Sequence, residues 1–577
     1  MSDLKAFFNH PASPRQRQYE AIRAVVVDQL PVEQAAHRFG YSVATLYSLL
    51  RDLKAGKLEL FPAPVRGPQE RHTPEFVRQL VVKYRHAQLS GDEISARLGE
   101  ENYKISVRTV ERILADAGFP RLRRRSPTQR GRTQRNQHLP ERTQALEFET
   151  LKPFRVDCPV AGVFFFLPYV VEAGVMDIVR QSHLPASTVV SAEQAALAML
   201  VLKLIGSKRL SHIASYDHEP GLGVFAGLTV LPKTSFMTTY SCRLSDALLE
   251  EFQQRLVRQF QTVYPPFYQA DFINLDFHTI PHFGTESQME KVWAGARGKA
   301  LKGANTLLAQ DASSNVILYT RADILRKDEA REIQHFVQFW KTLRHPVKET
   351  LVFDCRLTNY TVLNELMADG VQFITLRRRS QGLLKNAAEL PDSAWRRVTL
   401  ALPKRKHKTC RVSESAVTLT GCSHPVRQLI ITDHGRAQPT VMITNNRALP
   451  LATLLEVYAK RWRIENKLAE LVSFFNLNAL SSPLMIRIHF DILWTLVADT
   501  LYHRLAQDLP RFEQQRADSL FRRFIDMPGQ ISYDGQDFKV TLRKRAHTPI
   551  LMGVEALQKG VAVPWLDNRL MRYEWTA

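Results

Sequence analysis

Acidic side chains are the first shortage in this chain of 577 residues: 57 Asp and Glu stand against 78 Lys and Arg, a formal charge of +21. That balance argues against a cationic partner and points to a polyanion, with nucleic acid the default. Cysteine is scarce as well. Cys158, Cys242, Cys355, Cys410 and Cys422 are odd in number, widely spaced and without a C-x-x-C, which excludes a disulfide framework and fits packing thiols in a reducing cytoplasm. Long apolar runs are missing too. The longest, Cys158 to Val171, is broken by Pro159 and Pro168 and closed by Glu172, short of the roughly 20 residues a membrane helix needs. It reads as a buried core segment, and no membrane partner is expected. The opening residues, MSDLKAFFNHPASPRQ, lack an apolar h-region, so no signal peptide is expected and the location is cytoplasmic, beside the nucleoid. Apolar content of 45% is ordinary for a globular protein, and the length calls for several domains.

Residues 1–60 read as a helix-turn-helix module. Helical spacing runs from Pro14 to Leu30, a short helix VEQAAHRF stops at Gly40, and Ser42 caps VATLYSLLRDLK as a recognition helix. Ser42, Thr45, Tyr47, Ser48 and Arg51 are its candidates for base or phosphate contacts. Residues 70–120 repeat the plan, with a helix start at Thr73-Pro74-Glu75, a capping box from Ser90 to Glu93, and Ser106 capping a helix that ends at Gly118. There Arg108, Thr109 and Arg112 face the groove. Three-helix packing without a DNA role is the plain alternative for either module alone, but two in tandem on a basic chain favour a long DNA site. The linker, 121–149, opens on the stretch from Pro120 to Arg142, which carries Arg123, Arg124 and Arg125 among many arginines and almost no large apolar side chain. It cannot bury enough surface to fold, and its arginines are expected to follow the phosphate backbone.

Residues 150–265 are helical, a scaffold or dimer surface. From 266 to 376 the period changes: strands at 272–284, 304–311 and 315–323, a helix at 330–343, a strand at 349–355, a helix closed by Gly370, and a strand at 371–376. That order is the one a ribonuclease-H-like core uses. Residues 377–447 have short strands broken by Lys, Arg, Pro and Gly, read as an inserted β-rich subdomain. Residues 448–510 return as two long helices, the first from Leu454 to Phe475, and 511–577 form a C-terminal extension with a hairpin turning at Asp534-Gly535. The expected fold class is multidomain: N-terminal all-α helix-turn-helix modules, then an α/β ribonuclease-H-like catalytic core with a β-rich insertion and C-terminal helices.

Within this order Asp276 and Asp354 end the first and fourth strands, which lie side by side at the sheet's centre. Tyr458, Arg461 and Glu465 fall at about 0°, 300° and 340° around the Leu454–Phe475 helix, one narrow stripe. A helix packed across the strand ends would add Glu465 as a third acid. Three carboxylates so close persist ionised only around a cation, and hard oxygen donors select Mg2+ or Mn2+. Two such ions per site would hold the attacking and leaving oxygens of a phosphodiester displacement. Each aspartate taken singly is as readily a loop-capping acid.

The stripe, with DFHTIPHFG and VFDCRLTNYTVLNELMADGVQFITLRRR, resembles the DDE transposases of bacterial insertion sequences, the group with a Y-x2-R-x3-E-x6-K signature and a β-rich insertion. The resemblance covers about residues 150 to 577. It implies that Asp276, Asp354 and Glu465 are catalytic metal ligands, and that Tyr458 and Arg461 contact phosphates beside the scissile bond. It implies binding of terminal inverted repeats, metal-dependent cleavage and strand transfer to target DNA, and a homodimer or larger synaptic complex. The signature lysine falls at Val472, an apolar residue on the same stripe. That departure is what a DNA-binding regulator without catalysis would show; a metal-dependent nuclease is the third reading. Lesser candidates are Arg377, Arg378 and Arg379 and the basic run 404–408 as backbone contacts, His278 on the strand of Asp276, and Trp395 as a stacking ring. His407, Cys410, Cys422 and His424 have zinc-like chemistry at a spacing that matches no strong template.

Overall fold

The computed structural model describes residues 4–61, 73–87, 89–120, 139–216, 218–282, 289–294, 298–322, 324–402, 408–479 and 484–576. The chain divides into two compact units, 1–133 and 134–577. Arg123, Arg124 and Arg125 lie outside the described residues, as do His407 and most of the 404–408 run.

The first unit holds two three-helix groups. Pro14–Val26, Val32–Phe39 and Val43–Lys54 surround Ala21, Ile22, Ala35, Ala36, Phe39 and Leu46. The middle helix stops at Gly40, whose φ of 70° a side chain would strain. Ser42 then caps the third helix, its hydroxyl accepting from the Thr45 amide at 3.1 Å. Glu75–His86, Gly91–Glu100 and Val107–Asp116 form the second group around Val77, Val81, Ile94, Leu98, Val110 and Ile113. Both halves of the Ser90–Glu93 capping box are made.

The second unit contains two mixed sheets. The larger, of ten strands, comprises β2 (Phe272–Pro281), β3 (Lys291–Ala294), β4 (Lys299–Asp311), β5 (Ile317–Arg321), β6 (Thr350–Val352), β7 (Phe373–Leu376), β8 (Arg396–Thr399), β9 (Thr409–Val417), β10 (Val426–Thr432) and β11 (Thr440–Thr444). Their order is β3-β4-β2-β6-β7-β11-β10-β9-β8, with β5 also on β4. Only β2–β6 and β6–β7 are parallel pairs within it. The smaller sheet runs β1 (Phe154–Cys158), β12 (Gly529–Tyr533), β13 (Phe538–Arg543), β15 (Arg569–Thr576) and β14 (Val561–Val563). Its first strand comes from the segment before the helices, so β1 pairs with β12 across most of the unit's length. The Cys158–Val171 segment is buried as expected, in turns of helix over Ala161–Glu172. No single helix among the described residues is long and apolar enough to cross a membrane.

Two expectations change. Strands β8–β11, read as a separate subdomain, prolong the central sheet: β11 pairs antiparallel with β7, Met442 opposite Leu376. The parallel run ends at β7, whose open edge would otherwise leave backbone groups unpaired; β11 fills it and buries Met442 and Ile443. The expected single helix from Leu454 to Phe475 is two, Leu451–Lys460 and Trp462–Ser473, broken at Arg461. There the Arg461 amide is shared between the carbonyls of Val457 and Tyr458. Beyond residue 511 the extension supplies β12 to β15 of the smaller sheet between short helical turns, including the hairpin turn at Asp534-Gly535.

β4 passes β2 so closely at Gly303 that an added Cβ would sit 2.5 Å from the Ile280 carbonyl oxygen. Gly303→Ala is expected to cost about 1–3 kcal/mol by overpacking. Gly382→Ala, in open space on the helix Gln381–Ala388, gains about 0.5–1 kcal/mol. Urea unfolding midpoints of opposite sign check the pair, and equal midpoints would refute the close-approach reading.

Candidate functional site

β2 and β6 set the site. Ile273 pairs with Leu351 and Asn274 with Val352, so two residues further on Asp276, in the middle of β2 and not at its end as expected, stands level with Asp354, just past the end of β6. On β2 the side chains of Ile273, Leu275 and Phe277 are buried on one face, and Asp276, opposite Leu308 of β4, lies partly exposed on the other. One Asp276 oxygen accepts from the Phe277 amide at 2.9 Å, the other from Arg461 Nη1 at 3.0 Å. Burial pushes the Asp276 carboxyl up to about 6; Arg461 opposes the rise and Asp354 adds to it. Desolvation therefore outweighs a guanidinium in direct contact. Asp354, just past β6, accepts from the Arg356 amide at 2.9 Å, and its carbonyl accepts from Thr358 and Thr375.

Arg461 sits at the helix break and reaches both ways, to Asp276 and, through Nη2, to Glu465 at 3.3 Å. Its guanidinium lies 5.8 Å from the centre of the Tyr458 ring, whose phenol burial pushes up. The five residues expected at the site thus share one neighbourhood, with Arg461 standing between Asp276 and Glu465. The acids do not meet as a cage of three. Among the described residues no three His, Cys, Asp or Glu are grouped to hold a metal ion. Three uncompensated carboxylates would repel, and Arg461 supplies the compensating charge. The level pair Asp276 and Asp354 does fit a hard divalent cation: both are oxygen donors, and burial leaves Asp276 short of neutralisation. Glu465, its side chain 51% exposed and tied to Arg461, stands outside that pair.

The remaining candidates divide. Arg377 turns inward, donating to the Tyr360 hydroxyl at 3.1 Å and to Gln428 at 2.7 Å, whereas Arg378 and Arg379 are exposed. In the first unit Arg108, Arg112 and Thr45 are exposed, and Arg51 pairs with Asp52. His278 hydrogen-bonds Asn478 at 2.7 Å, a packing role. Arg411 lies over Trp395. Cys410 and Cys422 donate to different carbonyls, those of Val398 and Tyr360, so no zinc pair forms between them. Val472 packs against the main core.

Three features escaped the sequence. Trp462, beside Arg461, is 61% exposed at the start of the second helix. Arg356, two residues after Asp354, stacks over Phe277 at 4.6 Å and binds Glu329 and Asn305. Lys467 is buried behind Glu465's helix, where its ammonium donates to Asp499 at 2.5 Å, Glu470 at 3.3 Å and His503 at 2.9 Å. Burial and Lys467 push the His503 imidazole down to about 3, so it stays neutral and accepts. Arg356 follows Asp354 closely enough for the sequence to have flagged it; Lys467 pairs across 32 residues of intervening chain and gives no such sign.

Residues 268–499 match the family model described as a transposase DDE domain, well under half of the chain. No curated protein matches it. Among solved structures, a piggyBac transposase synaptic complex with hairpin DNA is 9% identical, covering 65% of this chain and 82% of that one at a TM-score of 0.34. A Mos1 transposase paired-end complex with left transposon end is 10% identical, covering 62% and 76% at a TM-score of 0.14.

A rise of the Asp276 carboxyl from 3.8 to about 6 corresponds to roughly 3 kcal/mol between its two protonation states. A raised pKa stabilises the fold below 3.8, and that stability is lost as pH rises through about 6. Asp276→Asn should therefore gain on the wild type by roughly that amount between pH 4 and pH 7, read by denaturant titration at each pH. A pH-independent difference would contradict the assignment. Lys467→Ala leaves Asp499 buried without its partner and is expected to cost about 3–5 kcal/mol, measured the same way.

Proposed function

We propose that this protein is a DNA transposase of the DDE type, with a ribonuclease-H-like core, acting on the terminal inverted repeats of an insertion sequence. One observation carries the reading: Asp276 and Asp354 stand level on adjacent parallel strands under the Arg461 helix, inside the stretch that matches a transposase DDE domain. The strand order β5-β4-β2-β6-β7, three antiparallel and two further parallel, supports the core assignment.

Asp276 and Asp354 would hold Mg2+ or Mn2+, with Glu465 joining for a second ion once Arg461 releases it. Divalent cations supply charge neutralisation there and make water or a 3′-hydroxyl a stronger nucleophile. Arg461 is placed to exchange its carboxylates for a phosphate, a fork donor matched to either anion. Tyr458 backs that guanidinium, and exposed Arg378 and Arg379 extend the positive surface along the strand. The two N-terminal helical groups would read the end sequence through Thr45, Arg51, Arg108 and Arg112, and paired ends call for a homodimer or larger assembly.

A regulator that binds without cutting draws on one specific observation: Arg461 already occupies both Asp276 and Glu465. Purified protein, Mg2+ and DNA bearing the flanking repeats separate these readings. The wild type should nick the ends and join them to target, and Asp354→Asn should lose more than the roughly 100-fold that removing a mere supporting partner of a metal site costs. Cutting without joining would leave a nuclease, and binding without cutting a regulator.

A further inference from the structure

A cavity of about 790 Å³ opens beside Asp354 and has no assigned role. It is lined by Arg326, Lys327, Glu329, Arg356, Tyr360 and Arg378, among others. Arg356 fixes its wall to the site: the backbone amide donates to Asp354 and the guanidinium stacks on Phe277, next to Asp276. Four cations face one carboxylate, and that carboxylate is already spoken for. Glu329 accepts from Arg356 at 2.5 and 3.0 Å and from Asn305 at 3.0 Å. Glu290 accepts from the Arg326 amide at 2.7 Å, which holds that backbone in place. No carboxylate among the described residues forms an ion pair with the exposed side chains of Arg326, Lys327 or Arg378. Tyr360 accepts from Arg377, so its own hydroxyl proton remains to be donated.

Three cations without an ion-pair partner among the described residues, with a phenol donor, select phosphate. The volume falls in the roughly 300–1,000 Å³ range of pockets that enclose a single small ligand. A double helix is convex and, with a major groove of about 12 Å alone, too broad to enter. We propose that this cavity takes unpaired nucleotides of the DNA strand continuing past the cleaved bond, with phosphates on Arg326, Lys327 and Arg378. The inference rests on the DNA-strand chemistry proposed above and names the substrate's single-stranded portion as the cavity's ligand.

Lys327 reports directly on occupancy. The full-length chain is treated with an amine-acylating reagent alone, with a short oligothymidylate, with a blunt duplex of the same length, or with inorganic phosphate. Acylation at Lys327 is then read by peptide mass spectrometry. The single strand should slow acylation several-fold, and the duplex and phosphate should leave it unchanged. The double variant Arg326→Ala/Lys327→Ala, altered only at exposed side chains, should lower the slope of log affinity against log salt for the single strand by about 1.4, two contacts at roughly 0.7 each. Unchanged acylation with the single strand overturns the proposal; so does equal protection by duplex, or by phosphate alone. The outcome is separate from that of the cleavage assay: protection without cutting retains the cavity and removes the enzyme, and cutting without protection does the reverse.

Discussion

The Arg461 guanidinium, 13% exposed and shared between Asp276 and Glu465, is the contact on which this half of the molecule depends. Two aspartates at one level on neighbouring strands, one of them largely buried, are costly to keep ionised, and the cost shows in the raised Asp276 carboxyl even with a cation at 3.0 Å. Arg461 opposes the repulsion from Asp354, with the Phe277 amide adding to its effect. The arginine also stands at the break in its helix. To reach β2 from the helix above, the residue sits where one hydrogen-bond ladder hands over to the next, its amide divided between two carbonyls.

The second helix, Trp462–Ser473, is held from both faces by charge. On one side Arg461 meets Asp276 of β2 and holds Glu465; on the other Lys467 is clamped by Asp499 and Glu470, and Glu470 also accepts from the Ala517 amide at 2.7 Å. A buried ion pair contributes little net stability over an apolar pair of the same shape, but breaking it is expensive. Its value here is directional: Asp499 and His503, both outside this helix, hold Lys467 and so fix the rotation that sets where Glu465 points. Val472 adds apolar contact where the resemblance implies a lysine.

How much of this was readable depends on the range of the interactions. Asp276 and Asp354 were legible because β-branched and aromatic runs mark their strands and because parallel neighbours follow from element order. The caps at Ser42, Ser90 and Ser106 were legible because capping is decided within three residues. The break at Arg461 was not, since no glycine or proline marks it and the partner of Arg461 there lies 185 residues away. Arg377, Arg378 and Arg379 look alike as a charge run, yet Arg377 is separated from the others by Gln428 and Tyr360, brought near by folding. The insertion looked separate because its composition shifts, while its attachment to β7 is a backbone pairing that side-chain composition does not encode.

That attachment changes the mechanical character of the site. A loosely tethered subdomain could move against the core, but β8–β11 share a continuous hydrogen-bonded sheet with β2 and β6, buried at Leu429, Met442 and Ile443. Arg378 and Arg379 follow β7 where that sheet passes into the insertion. Arg356 ties the cavity wall to the same two strands through Phe277 and Asp354. Cations on rigid elements lose less entropy on meeting a phosphate than cations on a hinge. The positive charge of the chain is thus of two kinds: arginines spent internally to brace strand ends, such as Arg356, Arg377 and Arg461, and arginines held outward by that bracing. The second kind keeps its alignment only while the first keeps its partners, so weakening an internal pair would blur the anion-facing surface without removing a charge from it.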